Sequence, residues 1–469
     1  MPNSRVLFEG RPRREAKFPI ERSMNLSAPT AGEADEPAPI DGYSSPDIGL
    51  SGSYILACIL VFIEVGRPFD QFLTGYHIPA VICSLGIIVT LFNNWLAALK
   101  SKPGIALLLF VVVMAVTTVT SIWRGGSFSY LLTFVGLNVV LFCLIASAPK
   151  SIAQVRGLVW IVVLSMLFNV LAGTGVDSGG RLYLTDKMFG NSDDVGLMGG
   201  FAIPLIILLC SRLNRFLGLI LGTAGCLGGL ILIGRSATRF AILSLTVTAF
   251  VYFIRARGVQ RMLLIFALVL ALGTAVVILP KSSIQRFSTL SMILAGGPEN
   301  TDSSSSEADG SFLERQSLFK DAVAAFIAHP IFGVGPDNFG NWRRETLGLH
   351  DLKPHNVYLQ AAAEEGIVGV ILYTTFLLLC LTTLQRSTKA KSGWEEGRTI
   401  ALALQLSMVY FCVSGFFINV QMHAHQFIIA GLSVALLRFR EEHEATTAIA
   451  VTQLPASRQI YKSYLRQIS

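Results

Sequence analysis

Charged residues are scarce in this chain: they make up 14% of its 469 residues, against about 25% in a soluble protein. Hydrophobic residues make up 52% and the mean hydropathy is +0.59, so water is not the main solvent and disorder is excluded over most of the length. Polar-loop cysteines are missing. Cys58, Cys83, Cys143, Cys210, Cys226, Cys380 and Cys412 each sit in an apolar stretch, which argues against disulfides and thiolate metal sites. No apolar segment with a small-residue cleavage site follows the first arginines, so a cleaved leader is not expected and the first span should remain as an anchor. No internal repeat is visible, and the inverted halves common in transporters are lacking. There is no aromatic-basic stripe to make the net charge of +7 a nucleic-acid signal.

What remains is a series of apolar runs between residues 50 and 437, each near the roughly 20 residues that a bilayer-crossing helix requires, and about twelve in number. The fold class expected is an all-α integral membrane protein with one large outer loop. Residues 1–49 read as a disordered tail, 50–280 as nine spans, 281–365 as the loop, 366–439 as three more spans and 440–469 as a second tail. With both tails cytoplasmic, one face collects about two thirds of the 37 lysines and arginines, as the positive-inside rule requires.

The loop opens with a Ser-rich stretch at 296–310, expected to be a flexible tether. FLERQSLFKDAVAAFIAHP follows, with Leu313, Leu318, Phe319, Val323, Phe326 and Ile327 near helical spacing. This predicts an amphipathic helix at the membrane surface.

Ionisable residues inside the expected spans are almost absent, Glu64 being the exception, beside Arg67 and Asp70. Candidate chemistry therefore falls at the outer boundary. Arg181 lies in a loop before Asn191-Ser192-Asp193-Asp194, where Asn191 or Ser192 suits a helix N-cap. Arg235 and Arg239, in GRSATRF, are four residues apart at a helix junction and could fork around phosphate oxygens or snorkel to headgroups. His355, next to Asn356, is suited to proton transfer near neutrality. His329, His350, His423 and His425 compete with it, and the last two lack an evident third metal ligand.

Four motifs in order resemble the O-antigen ligase and polysaccharide polymerase superfamily: FGNSDDVGLMGGFAIPL, GRSATRFAIL, RQSLFKDAVAAFIAHPIFGVGPDNF and HNVYLQAAAEEGIVGVILY, within residues 179–385. One departure is Asn191-Ser192-Asp193, where that family commonly has Asn-Pro-Asn. The resemblance implies a large membrane glycosyltransferase fold in a bacterial inner membrane, with a cavity facing the periplasm. It also implies a glycan donor carried on undecaprenyl pyrophosphate and a glycan, lipid A core or protein acceptor. In that reading His355 is the catalytic base and Arg235 and Arg181 serve catalysis by binding the pyrophosphate. Arg239, Arg315 and Asn356 would contact substrate. The donor is already activated, so the chemistry requires no cofactor and no metal. The competing class is a transporter or flippase of lipid-linked sugars.

Overall fold

The computed structural model describes residues 51–66, 86, 88, 95–172, 174–177, 181–184, 191–262, 264–265, 303–389 and 393–452. The runs expected at 77–99 and 262–280 lie largely outside these residues, as do most of both tails. The described part is a bundle of thirteen helices and one hairpin. In chain order the helices are α1 (Gly52–Gly66), α2 (Trp95–Lys100), α3 (Lys102–Thr120), α4 (Arg124–Ser147), α5 (Ile152–Ala172), α6 (Ser192–Cys210), α7 (Arg215–Ser236) and α8 (Arg239–Arg255). They continue with α9 (Ser303–Ala328), α10 (Phe339–Leu347), α11 (Val357–Thr388), α12 (Glu395–Ser414) and α13 (Ala424–Thr452). Strands β1 (Thr174–Val176) and β2 (Leu182–Leu184) pair antiparallel between α5 and α6.

Helices α3, α4, α5, α6, α7, α11 and α12 are long and apolar enough to cross a bilayer, and the chain is a multi-pass membrane protein. Helical backbone is required there because hydrocarbon offers no partner to an open amide or carbonyl. The helix starts follow the same logic. Ser101, Asn191 and Asn214 each accept a hydrogen bond from a first-turn backbone amide, at 3.1, 2.9 and 2.8 Å. Helix α4 carries a π-helical turn at Phe134–Val139.

Contacts between the helix ends sort the bundle into two faces. At one, the Ile122 amide donates to the Val334 carbonyl at 3.2 Å, the Val357 amide to Gly415 at 2.8 Å, and the Tyr130 hydroxyl to Gln421 at 2.8 Å. At the other, Arg156 pairs with Glu396, Arg255 bonds Gln405 and Gln385, and Arg438 and Arg440 donate to the carbonyls of Pro149 and Arg386 at 2.5 and 2.9 Å. The loop residues 303–356 belong to the first face, and these arginines to the second.

Three boundaries differ from expectation. Helix α9 begins at Ser303 and takes in part of the Ser-rich stretch, since a helix nucleated by the apolar face downstream adds residues at little further cost. Helix α11 begins at Val357 rather than 366 and is bent at Gly366, where φ is 72° and ψ −168°. The last helix starts at Ala424 and continues past the expected boundary to Thr452.

Gly366 is required by conformation and by space, since a Cβ there would fall 2.1 Å from the Ile331 carbonyl oxygen. Gly366→Ala should therefore destabilise the protein by roughly 1–3 kcal/mol, whereas Gly228→Ala, with nothing within 4 Å, should not. The check is the midpoint of thermal unfolding in detergent, followed with a thiol-reactive dye that reaches the buried Cys143 and Cys380 only after unfolding.

Candidate functional site

The first turns of α6 are where the sequence-predicted residues converge. Asn191 caps the helix, and Asp193 and Asp194 occupy its first turn, where the helix dipole favours carboxylates. Asp193 reaches outward: its Oδ2 accepts from Arg315 Nη2 of α9 at 2.8 Å. Asp194 lies 3.7 Å from the Nε2 of His423, and both are buried. With Glu64 and His425 they line a small cavity of about 20 Å³, room for a water or so.

The GRSATRF junction packs on the same turns. Ala237 takes a left-handed conformation between α7 and α8, and the hydroxyls of Ser236 and Thr238 bond at 2.9 Å. A Cβ on Gly196 would lie 2.2 Å from Thr238 Oγ1, so this turn rests directly on α6. Arg235, exposed at the end of α7, and Arg239, half-buried at the start of α8, flank it. On the other side Leu184 of β2 packs with Val195 and Met198, which brings in the hairpin and Arg181. The Arg181 side chain donates to Asp177 Oδ2 at 3.0 Å and its amide to Asp177 Oδ1 at 2.7 Å. This pair closes the hairpin and leaves the guanidinium about one third exposed.

The loop supplies the histidine. Residues 330–339 wrap the start of α11: the Val334 and Gly335 amides donate to the carbonyls of Ala363 and Glu364, each at 2.9 Å. The Glu364 carboxylate, fully buried, accepts from the amides of Asp337 and Phe339 at 3.1 and 3.3 Å and from Gln360 at 2.9 Å. Asn338 donates to Ser121 and Ser127 at 2.7 and 2.6 Å, which ties the turn to α3 and α4. Arg343 of α10 holds α9 through Asp321 at 2.7 Å and the following strand of loop through the His350 carbonyl at 2.8 Å. Lys353 pairs with Asp337 at 2.7 Å.

His355 follows this anchored segment, half-buried. Burial and the adjacent Arg315 guanidinium hold its imidazole below the usual histidine value, against the opposing pull of the Asp193 and Glu314 carboxylates. An imidazole held this way is neutral at neutral pH and can take up a proton. Asn356 caps α11, its Oδ1 accepting from the amides of Tyr358 and Leu359 at 3.0 Å. The competing histidines sit elsewhere: His329 and His350 are exposed, and His423 and His425 belong to the α6–α13 cavity. Arg67 and Asp70, the expected neighbours of Glu64, lie outside the described residues.

The segments that carry Arg315, Arg235, Arg239 and Arg181 thus all meet the first turns of α6, and His355 feels the charges of Arg315 and Asp193 there. The structure gives Asn356 a capping task and Arg181 a hairpin partner. Two participants were missed in the sequence. Asp193, where the resembled family has a different residue, turns out to orient Arg315, and the doubled carboxylate in a first turn was the available signal. Glu364 organises the loop, and no sequence pattern marked it as a cap for a turn 27 residues away. Among the described residues no group of three or more His, Cys, Asp or Glu is arranged to hold a metal ion.

Residues 224–374 match the family model described as Wzy_C: O-Antigen ligase, which bears out the resemblance read from the motifs. Three of the four motifs fall inside the match, and FGNSDDVGLMGGFAIPL precedes it. No curated protein matches the chain.

The charges around His355 define a spectroscopic outcome. Its histidine NMR resonance should titrate below 6.5. Arg315→Gln should raise that midpoint by removing a repelling cation, and Asp193→Asn should lower it.

Proposed function

Taking the match to O-antigen ligases as its premise, we propose that this protein is an inner-membrane glycan transferase acting on an undecaprenyl-pyrophosphate-linked oligosaccharide, with a surface polysaccharide as product. The observation that carries the reading is the half-buried His355 beside the Arg315–Asp193 pair, at a membrane boundary where further arginines collect. A prenyl pyrophosphate donor presents its reacting carbon at that level. Arg235 and Arg181, with Arg239 as a weaker candidate, bind the pyrophosphate, and the guanidinium fork suits two phosphate oxygens at once.

The acceptor hydroxyl oxygen attacks the anomeric carbon as the bond from that carbon to the pyrophosphate oxygen breaks. The hydroxyl proton passes to His355, and undecaprenyl pyrophosphate departs with its charge met by the arginines. The charge distribution between the two faces supports placing the 303–356 face in the periplasm and both tails in the cytoplasm. Acceptors of three kinds fit: a second lipid-linked glycan, lipid A core or protein.

Loss of the gene separates the outcomes on a polysaccharide gel. Loss of long chains with single repeats still attached marks a polymerase, and loss of all attached glycan marks a ligase. Transport of lipid-linked sugar by the purified protein without release of undecaprenyl pyrophosphate would establish a transporter instead.

Turnover should fall about a hundred- to ten-thousand-fold in His355→Ala, while His350→Ala stays near wild type. Arg235→Lys and Arg181→Lys should lose activity although charge is kept. The base must be unprotonated, so the rate should hold through neutral pH and decline only below 6.5, as protons add to His355. In Arg315→Gln, whatever activity remains should decline at higher pH than in the wild type.

A further inference from the structure

Helix α9 is pinned to membrane-span ends at its midpoint and just past its C-terminus. Midway along it, Arg315 bonds Asp193 in the first turn of α6. Just past its end, the Pro330 carbonyl accepts from the Ile367 amide of α11 at 2.9 Å, and Val334 accepts from Ile122 at the end of α3 at 3.2 Å. From Arg315 to its last residue, Ala328, the helix is about 20 Å long, and both this midpoint and the turn after the helix meet the outer end of a span. A half-helix held in that way runs along the boundary plane rather than away from it.

One face of this rod is used by the protein: Leu318, Ala322 and Ala325 pack with Val334, Phe339, Trp342 and Ala363. The opposite face is apolar and exposed, with Phe319 at 54% and Ile327 at 70%, Val323 between them, and Ile331 and Phe332 in the following turn at 59% and 46%. The strip does not stop there. The Ile367–Pro330 bond sets Ile331 and Phe332 beside Ile367, Val368 and Ile371, which are exposed on the first turns of α11 after its bend. That part of α11 lies inside a span, so its outward side chains meet hydrocarbon. Among the side chains described, Lys320 is the one charge on this face, and its stem can lie along the apolar surface with the ammonium among lipid phosphates.

We propose that the outward face of α9 and the Ile331–Phe332 turn is a lipid-contact surface, seated in the headgroup region of a phospholipid bilayer and continuous with the hydrocarbon-facing side of α11. The seat fixes the height of Arg315 and His355 above the hydrocarbon. This inference rests on the membrane spans and does not depend on the glycan-transfer reading, and its test involves no turnover.

The full-length protein in phospholipid vesicles, carrying p-benzoylphenylalanine in place of Ile327, Ile371 or Glu345, is illuminated and its adducts are identified by mass spectrometry. Ile371 marks a span face, and Glu345 an exposed position on α10. The expected result is phospholipid adducts at 327 within about twofold of the yield at 371, and several-fold above that at 345. Adding Phe319→Ser and Val323→Ser should then lower the yield at 327 several-fold, and these exposed or half-buried sites leave the packed face intact. Adducts at 371 without any at 327 would show an aqueous face and overturn the proposal. Peptide adducts at 327, from a second copy or from elsewhere in the chain, would overturn it equally.

Discussion

A single buried carboxylate carries the arrangement of the outer face. Glu364 is taken wholly out of water, which is costly for an acid unless donors replace the lost hydration. Three donors converge on it, from the Asp337 and Phe339 backbone and from Gln360. With its oxygens filled, the turn at 335–339 cannot lift off the start of α11. Asn338 then reaches Ser121 and Ser127, Lys353 reaches Asp337, and the chain is delivered to His355 from a fixed origin. The histidine owes its position to a side chain nine residues further along the chain.

The two faces of the bundle are held by different sets of partners. The loop face combines hydroxyls, amides and backbone with the Arg315–Asp193, Arg343–Asp321 and Lys353–Asp337 pairs. The other face relies on arginines that grip groups of other segments, such as Arg438 on the Pro149 carbonyl, Arg440 on the Arg386 carbonyl and Arg156 on Glu396. Arginines there tie helix ends together.

Much of the fold was legible because a span must be apolar along its whole length, so runs such as 103–122 and 399–418 announce α3 and α12. His355 and the arginine junction stood out as candidates because few other side chains fit such chemistry at a boundary. The remainder was hidden for a definite reason: the partners are distant in sequence. Asp193 meets Arg315 across 122 residues, and Asn338 meets Ser121 across 217, and no local pattern encodes such pairs. The Arg181 pair was hidden in the opposite way, since its partner Asp177 is close by but is joined through a hairpin too short for periodicity to reveal. The extension of α9 into the serines was equally hidden, because propensity favours a turn there and packing further along the helix decides otherwise.

The π-helical turn at Phe134–Val139 has a consequence for α4 as a whole. A regular helix advances about 100° per residue, and a π turn holds an extra residue, so the two halves of α4 are out of phase with each other. The half before it presents Ser127 and Tyr130 to Pro336 and Gln421. The half after it lays Phe142 and Ile145 against Gly431 of α13. Without that inserted residue only one half could keep its partners. Removing one amino acid from this turn would act as a rotation rather than a shortening, swinging half a helix while leaving its composition nearly untouched.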